Sequence, residues 1–394
     1  MTTVAASTGS ALSAQDALSV QDRETMRHAL ALGRRGLGNT WPNPAVGAVV
    51  WLPGEGAPHI LGRGWTMPGG RPHAETAALA AAGEATRGAM LSVTLEPCSH
   101  HGRTPPCSGA IVAAGIARVV SAIEDPDPRV NGRGHIMLRA HGIAVTVGVL
   151  AREARRANWG FIRKVVDQRP MLTLKLARTT DGIAGRPGER LLITGPAADA
   201  RTHMLRAQHD AVMVGLGTVL ADDPLLTCRL PGLEHRSPVR IVLDSRLQLP
   251  LASRLVASAR THPLWVVTGI AAPDVPEAAL VAAGAEIIRV ATDPDGRVSP
   301  AAAMRALAGR GVTRVLSEAG PRLAMALAAA DVVDEVVLLT GTMPAGHGVP
   351  ALSPVLAERL ADPELFTAGP VEPVGPVAAG PNTADTMQVF TRRG

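Results

Sequence analysis

Apolar runs and helical stretches alternate along this chain in two long series. The first series opens with a capped helix expected from Asp22, then an apolar run at residues 45–52 that predicts a strand ending at Pro53-Gly54. A helix is predicted after Pro72, a residue suited to a first helical turn, with alanines filling it until Gly83 stops it. Residues 90–96 (MLSVTLE) read as a buried strand. A turn-rich loop, a short helix closed by Gly115, the strand ARVVSAI and a further helix and strand ending near Leu150 follow. This alternation implies an α/β domain with a mostly parallel or mixed sheet sandwiched by helices.

A helix is expected at residues 151–163, and the segment KVVDQRP behind it lacks amphipathic period and ends in Pro170, which marks a domain boundary. A second alternating series begins there, with strands expected at 171–177, 211–215, 239–245, 263–269, 285–290, 312–320 and 334–341 and helices between most of them. Residues 368–385, rich in Pro and Gly, are expected to form an irregular surface connection before a last strand, MQVFTRR. The organisation read from the pattern is a frayed extension at 1–21, a first domain at 22–166 and a second at 170–394.

Composition narrows the function classes. A length of 394 residues suits two or three domains of about 150 residues each, and 41 Gly with 32 Pro stay below the share that marks a disordered chain. The net charge of +5 comes mostly from arginines spread along the chain, with no basic block. Scattered guanidinium groups suit anionic small substrates at least as well as polymers. Residues 1–21 hold no basic and apolar stretch of the secretory kind. No run reaches the length of a membrane span, since the apolar stretch at 323–339 is cut by Asp331, Asp334 and Glu335. A soluble cytoplasmic protein without a membrane partner is expected. Three cysteines cannot build a disulfide framework; Cys98 and Cys107 lie beside histidines, which favours a metal, and Cys228 reads as an inert buried thiol.

The candidate chemistry of the first half is compact. His73, Cys98 and Cys107 supply one imidazole and two thiolates, a soft set suited to one Zn²⁺ per chain with a fourth tetrahedral position left for water. Glu75, two residues from His73, is placed to carry the proton of that water. A His-x-Glu followed by Pro-Cys is the general signature of zinc deaminases. A thiolate just before an apolar helical run also gains from the helix dipole. A closed zinc knot is the competing reading and needs a fourth ligand, which His100 or His101 could offer.

Spacing narrows the class further. Nucleobase and nucleic-acid deaminases use Cys-x-x-Cys, whereas here the eight residues 99–106 separate the two cysteines. With HAE at 73–75, the run TLEPCSHHGRTPPC at 94–107 and Asn43-Pro44-Ala45-Val46-Gly47, the sequence from about Asp22 onward closely resembles the bifunctional deaminase and reductase of riboflavin biosynthesis. The resemblance implies a cytidine-deaminase-like α/β/α sandwich followed by a dihydrofolate-reductase-like α/β domain. It implies hydrolytic deamination of 2,5-diamino-6-ribosylamino-4(3H)-pyrimidinone 5′-phosphate, with Glu75 relaying the proton to the leaving nitrogen and Asn43 bonding the nucleotide. NADPH-dependent reduction of the ribosyl side chain to ribityl then follows, and a homo-oligomer is the family's default.

In the second half the residues alone are weaker evidence, because Gly215-Leu216-Gly217 supplies only two glycines of a dinucleotide fingerprint. The resemblance extends through VGLGTVLADDPLLTCR (214–229), RIVLDSR and SEAGP. It implies NADPH contacts at Ala177, Thr218, Asp222, Ser245 and the backbone from Gly320, and substrate contacts at Arg206, Leu226, Arg229 and Glu318; Lys175, on a strand expected to border the cleft, is read as assisting the opened sugar, and Arg190, where the family has Ser, as binding phosphate. The family's Gly-Glu-Ser-x-Trp-Ile-Thr is here Gly188-Glu189-Arg190-Leu191-Leu192-Ile193-Thr194, and its Ala-Pro-x-Leu-Leu-Gly strand end is replaced by residues 340–346. Two alternatives follow: an active deaminase with a decayed reductase, and a nucleic-acid base deaminase. The cysteine spacing and the absence of interleaved aromatics, with no Tyr and three Phe, argue against the second. A non-enzymatic zinc-stabilised module is the remaining rival.

Overall fold

The computed structural model describes residues 14–99, 105–186, 191–375 and 384–393. They form two compact units, one of residues up to Gly36 and Pro44–Trp159, the other of Leu37–Asn43 with Gly160 onward. The division falls at Trp159/Gly160, ahead of the linker expected at 166–170, and residues 37–43 group with the second unit although their chain neighbours belong to the first.

The first unit is a mixed five-stranded sheet. Its strands are β1 (Gly47–Leu52), β2 (His59–Trp65), β3 (Met90–Val93), β4 (Arg118–Ser121) and β5 (Ala144–Val147), in the order β2-β1-β3-β4-β5. β1 runs antiparallel to β2 and β3, and β3, β4 and β5 are mutually parallel. The helices are α1 (Ala14–Gly33), α2 (Ala74–Ala82), α3 (Cys107–Ala113), α4 (Arg133–Ala140) and α5 (Ala151–Ala157). α1 starts eight residues before the expected Asp22. Gln21 and Asp22 are buried, and the Asp22 carboxylate takes a two-pronged ion pair from Arg118.

Glycines set the depth at which helices rest on this sheet. A Cβ on Gly47 would lie 1.8 Å from Ala29 O of α1, and one on Gly64 would lie 2.3 Å from Ala74 O of α2. Gly64 pairs with Ala48, next to Gly47, so the alternation of a strand puts α1 and α2 on opposite faces. β2 escaped the pattern reading because glycines and Arg63 break its apolar run.

The second unit follows α6 (Trp159–Val166) and is built on a nine-stranded sheet. Its elements in chain order are β6 (Met171–Arg178), β7 (Ile183–Gly185), α7 (Pro196–Ala207), β8 (Ala211–Gly215), α8 (Leu216–Asp222), β9 (Val239–Leu243), α9 (Arg254–Ala257), β10 (Leu264–Gly269), α10 (Asp274–Ala283), β11 (Glu286–Val290), α11 (Pro300–Gly309), β12 (Arg314–Ser317), α12 (Pro321–Ala329), β13 (Glu335–Thr340), β14 (Val349–Pro350), α13 (Pro354–Ala361), β15 (Phe366–Val374) and β16 (Asp385–Arg392). The large sheet runs β11-β10-β9-β8-β12-β6-β13-β16-β15, while β7 and β14 pair separately. Its first seven strands are parallel, and β16 and β15 close one edge as an antiparallel pair. Successive residues of β8 feed opposite cores: Ala211 and Met213 pack with Leu172, Leu174 and Val336, whereas Val212 and Val214 pack with Val242, Val266 and Leu316.

The Pro- and Gly-rich stretch from 368 is not wholly irregular, since β15 continues through Val374. It is an edge strand, where a proline's missing N–H costs no ladder bond, and its register shifts between Ala368 and Val371. Among the described residues no helix is long and apolar enough to cross a membrane.

Candidate zinc centre and reductase cleft

Three elements converge on the first site. His73 caps the start of α2, Cys98 follows β3, and Cys107 is the first residue of α3. The ligand atoms of these three all lie within 4.8 Å of one another. His73 Nδ1 is 3.3 Å from Cys107 Sγ and 3.7 Å from Cys98 Sγ. Around a tetrahedral zinc with ordinary Zn–S and Zn–N bonds the N···S edge is about 3.6 Å, so the spacing fits a shared zinc ion. The chemistry of the set, one imidazole with two sulfurs, fits it too.

The electrostatics are those of a proton-sharing site. Cys98 accepts the Cys107 N–H at 3.3 Å at the start of α3. The hydrogen bond from the Cys107 thiol, opposed by burial and assisted by His73, pulls the Cys98 thiol down to about 4. The same thiol pair and burial push Cys107 up, and the Cys98 hydrogen bond raises His73. Glu75 lies in the first turn of α2, 4% exposed, and burial, reinforced by the neighbouring Cys98, pushes its carboxyl up to about 7. A carboxyl poised near neutral pH is suited to both taking and giving a proton. The helix expected after Pro72 begins instead at Ala74, which leaves His73 in extended backbone as its cap.

Two acidic groups near this site did not stand out in the sequence. Glu96 is buried, and its carboxylate accepts backbone N–H groups of Asp125, Gly132, Gly134 and His135. Asp125 accepts the Asp127 N–H, and burial pushes its carboxyl up to about 7. Glu96 falls inside the run TLEPCSHHGRTPPC, where the sequence alone gives it no role. Asn43 is half-buried, its N–H donating to Thr40 O at 3.0 Å within the 37–43 segment. His100, His101 and Arg190 lie outside the described residues.

In the second unit the expected residues gather at the carboxyl ends of parallel strands, where ligands of open α/β sheets bind. Lys175 and Ala177 are on β6, Gly215 caps α8 after β8, Ser245 follows β9, and Glu318 and Gly320 follow β12. β8 and β12 are neighbours, so α8 and α12 start side by side: a Cβ on Gly320 would meet Thr218 Oγ1 at 3.3 Å, and one on Gly215 would meet Leu323 Cδ2 at 3.7 Å. The first intrahelical bond of α12 runs from Ala324 N–H to Gly320 O, leaving the earlier amides without a helical acceptor. Asp222 is exposed in the last turn of α8, four residues and about 6 Å of helix beyond Thr218. Ser245 Oγ accepts the Val298 N–H.

Among the expected substrate residues, Arg206 and Glu318 are joined. Arg206 Nε and Nη2 donate to Glu318 at 2.6 and 2.9 Å, and Nη1 donates to Thr227 O at 3.0 Å. Burial opposes the charge on both, yet the pairing holds Glu318 below and Arg206 above their usual ranges, with Lys175 also acting on Glu318. Arg229 is exposed beside them, its N–H donating to His203 Nδ1. Leu226 is buried as a whole, 2% exposed, in the core shared by β8 and β9 at φ 57°, so the expected substrate contact is not presented to a ligand. His203, bridging α7 to residues 227–229, was not singled out by sequence.

Fold and site together define a two-domain zinc deaminase and reductase. The cytidine and deoxycytidylate deaminase zinc-binding region matches residues 19–123, and the RibD C-terminal domain matches residues 170–365. The chain belongs to the RibD family of riboflavin biosynthesis proteins, bifunctional enzymes that join a deaminase to a reductase. It is 38% identical over 373 residues to the riboflavin biosynthesis protein RibD of Escherichia coli (strain K12), covering 91% of this chain and 98% of that one. Solved structures similar to it include Acinetobacter baumannii RibD (TM-score 0.80, 31% identity, 95% of this chain and 100% of that one). The diaminohydroxyphosphoribosylaminopyrimidine deaminase/5-amino-6-(5-phosphoribosylamino)uracil reductase of Thermotoga maritima gives a TM-score of 0.78 at 32% identity, with the same coverage.

Proposed function

We propose that the first unit deaminates 2,5-diamino-6-ribosylamino-4(3H)-pyrimidinone 5′-phosphate and that the second reduces the ribosyl chain of the product with NADPH. The observation that carries the reading is the meeting of His73, Cys98 and Cys107 within 4.8 Å, beside a buried Glu75. These three residues would hold zinc, which would supply a Lewis acid able to make water acidic enough to attack at neutral pH. Glu75 takes the proton of the attacking water on its carboxylate and delivers it to the departing amino nitrogen, which leaves as ammonia. Its elevated affinity for a proton suits both halves of that transfer.

In the second unit, Ala177, Thr218, Asp222, Ser245 and the α12 amides from Gly320 receive NADPH, the amides facing phosphate. Lys175, Arg190, Arg206, Arg229 and Glu318 receive the sugar phosphate. The enzyme is read as a cytoplasmic homo-oligomer. The test is a paired assay on purified protein: zinc content with ammonia release from the diaminopyrimidine, then NADPH oxidation with the deaminated product. Ammonia release without NADPH oxidation would support the decayed-reductase alternative; zinc without either activity would support a structural module.

A further inference from the structure

The site's most buried unexplained acid is Glu96, and its partners reach in one direction. Oε1 accepts Gly134 N–H at 2.8 Å and His135 N–H at 3.4 Å; Oε2 accepts Gly132 N–H at 2.8 Å and Asp125 N–H at 3.1 Å. Three of these four amides form the start of α4, the group of donors a helix leaves without intrahelical partners. The carboxylate is therefore the N-terminal partner of α4, supplied from the segment between β3 and Cys98 and held by charge-assisted bonds.

The same helix end touches the ligand segment. A Cβ on Gly134 would stand 2.0 Å from Pro97 O and 3.1 Å from Glu96 Oε1, so only glycine allows α4 to rest on the peptide that leads into Cys98. On the other side Cys98 O accepts both the N–H and the hydroxyl of Ser108, at 3.2 and 3.0 Å. The Pro97-Cys98 backbone is thus gripped between α4 and α3, and the α4 grip is made by Glu96.

We propose that Glu96 is a positioning residue for the metal centre: by drawing the start of α4 onto the Pro97 carbonyl, its carboxylate fixes the Cys98 sulfur at ligating distance from His73 and Cys107. The proposal rests on the reading of those three residues as zinc ligands. It assigns Glu96 no contact with substrate. Groups that orient metal ligands are commonly worth about 10–100-fold in metal affinity or activity.

The test compares the full-length protein with Glu96→Gln, which keeps the shape but turns an amide N–H₂ toward backbone donors, and with Gly134→Ala, which keeps the carboxylate but displaces α4. Far-UV circular dichroism and a cooperative urea transition of the first unit report that each variant is folded. Both variants are expected to lose zinc to a chelator about tenfold faster or more. Their cobalt-substituted forms are expected to show shifted thiolate-to-metal and ligand-field bands. A folded Glu96→Gln protein with wild-type zinc loss and a wild-type cobalt spectrum overturns the proposal while leaving the zinc reading intact; wild-type protein that binds no zinc removes both. Should the variants not fold, hydrogen exchange on the wild-type chain decides: stripping zinc is expected to deprotect the amides of Asp125, Gly132 and Gly134 about tenfold or more relative to those of β4, and unchanged protection overturns the proposal.

Discussion

Arg206 and Glu318, 112 residues apart, form a two-pronged ion pair at 2.6 and 2.9 Å at the mouth of the second unit's sheet. With Nη1 on Thr227 O, most of the guanidinium's donors are already engaged. Arg206 therefore works first as a strut for Glu318 and the 227–229 segment. Exposed Arg229 is the freer group for a phosphate. Arg206→Ala is expected to leave Glu318 buried and unpaired and to destabilise the second unit by roughly 3–5 kcal/mol. Arg229→Ala is expected to leave stability unchanged and raise KM for the phosphorylated substrate about tenfold, a loss of about 1.4 kcal/mol. Urea unfolding and NADPH-oxidation kinetics check both; equal stability losses in the two variants would refute the division of roles.

Glu75→Gln is expected to abolish ammonia release while zinc stays bound at one ion per chain. The substitution keeps the buried shape but removes the group that accepts and returns the proton, a contribution of roughly 10²–10⁴-fold for a positioned acid or base. NADPH oxidation with deaminated substrate is expected at the wild-type rate. Metal analysis beside an ammonia assay settles the point, and retained turnover would contradict the proposed mechanism.

Gly64→Ala tests the seat of α2. The new Cβ would meet Ala74 O at 2.3 Å and Ala78 N at 2.4 Å, both backbone atoms that cannot turn aside. α2 carries Glu75 and is capped by His73, so its displacement moves both groups together. The expected cost is about 1–3 kcal/mol or more in the first unit, with ammonia release falling further than stability alone accounts for. Thermal unfolding with parallel deaminase assays reads the outcome; a variant with wild-type deaminase kinetics would show that the close seat has no bearing on the site.

The parts legible in sequence are those whose signal is local. Short apolar runs announced β6 and β8 through β13, because inner strands of a parallel sheet are buried on both faces and rich in Val, Leu and Ile, as β8 and β10 are. His73, Glu75, Cys98 and Cys107 were legible because their chemistry is unusual at that spacing. What stayed hidden depends on partners distant in the chain. The glycines that let α2 lie on β2 also erase the hydrophobic signature of β2. Pro370 and Pro373 disguise β15, whose edge position makes them harmless. Glu96 is bound by backbone amides 29 to 39 residues away, and no side-chain motif records that. Leu226 is expected from the resemblance to contact substrate, but the structure buries the whole residue in the core, which its apolar side chain dictates and a motif cannot show.

His209 supplies a pH signature of the second unit. It is buried, with Nδ1 on Leu205 O at 2.7 Å and Nε2 on Thr173 Oγ1 at 3.0 Å. That arrangement suits the neutral ring with the proton on Nδ1, and burial, aided by the charge of Arg314, pushes its pKa down to about 3. The unfolded chain takes up the proton near 6.5. Between about 3 and 6.5 the unfolded state therefore binds more protons than the folded one, so stability present above pH 6.5 is lost as pH falls through that window. The shift corresponds to a contribution on the order of 5 kcal/mol. His209→Gln, which cannot titrate, is expected to be less stable than wild type at pH 7, with the gap narrowing as pH drops from 6.5 toward 4. Urea unfolding of both proteins at half-unit pH steps measures that gap, and a constant difference across the series would show that His209 is not the titrating group.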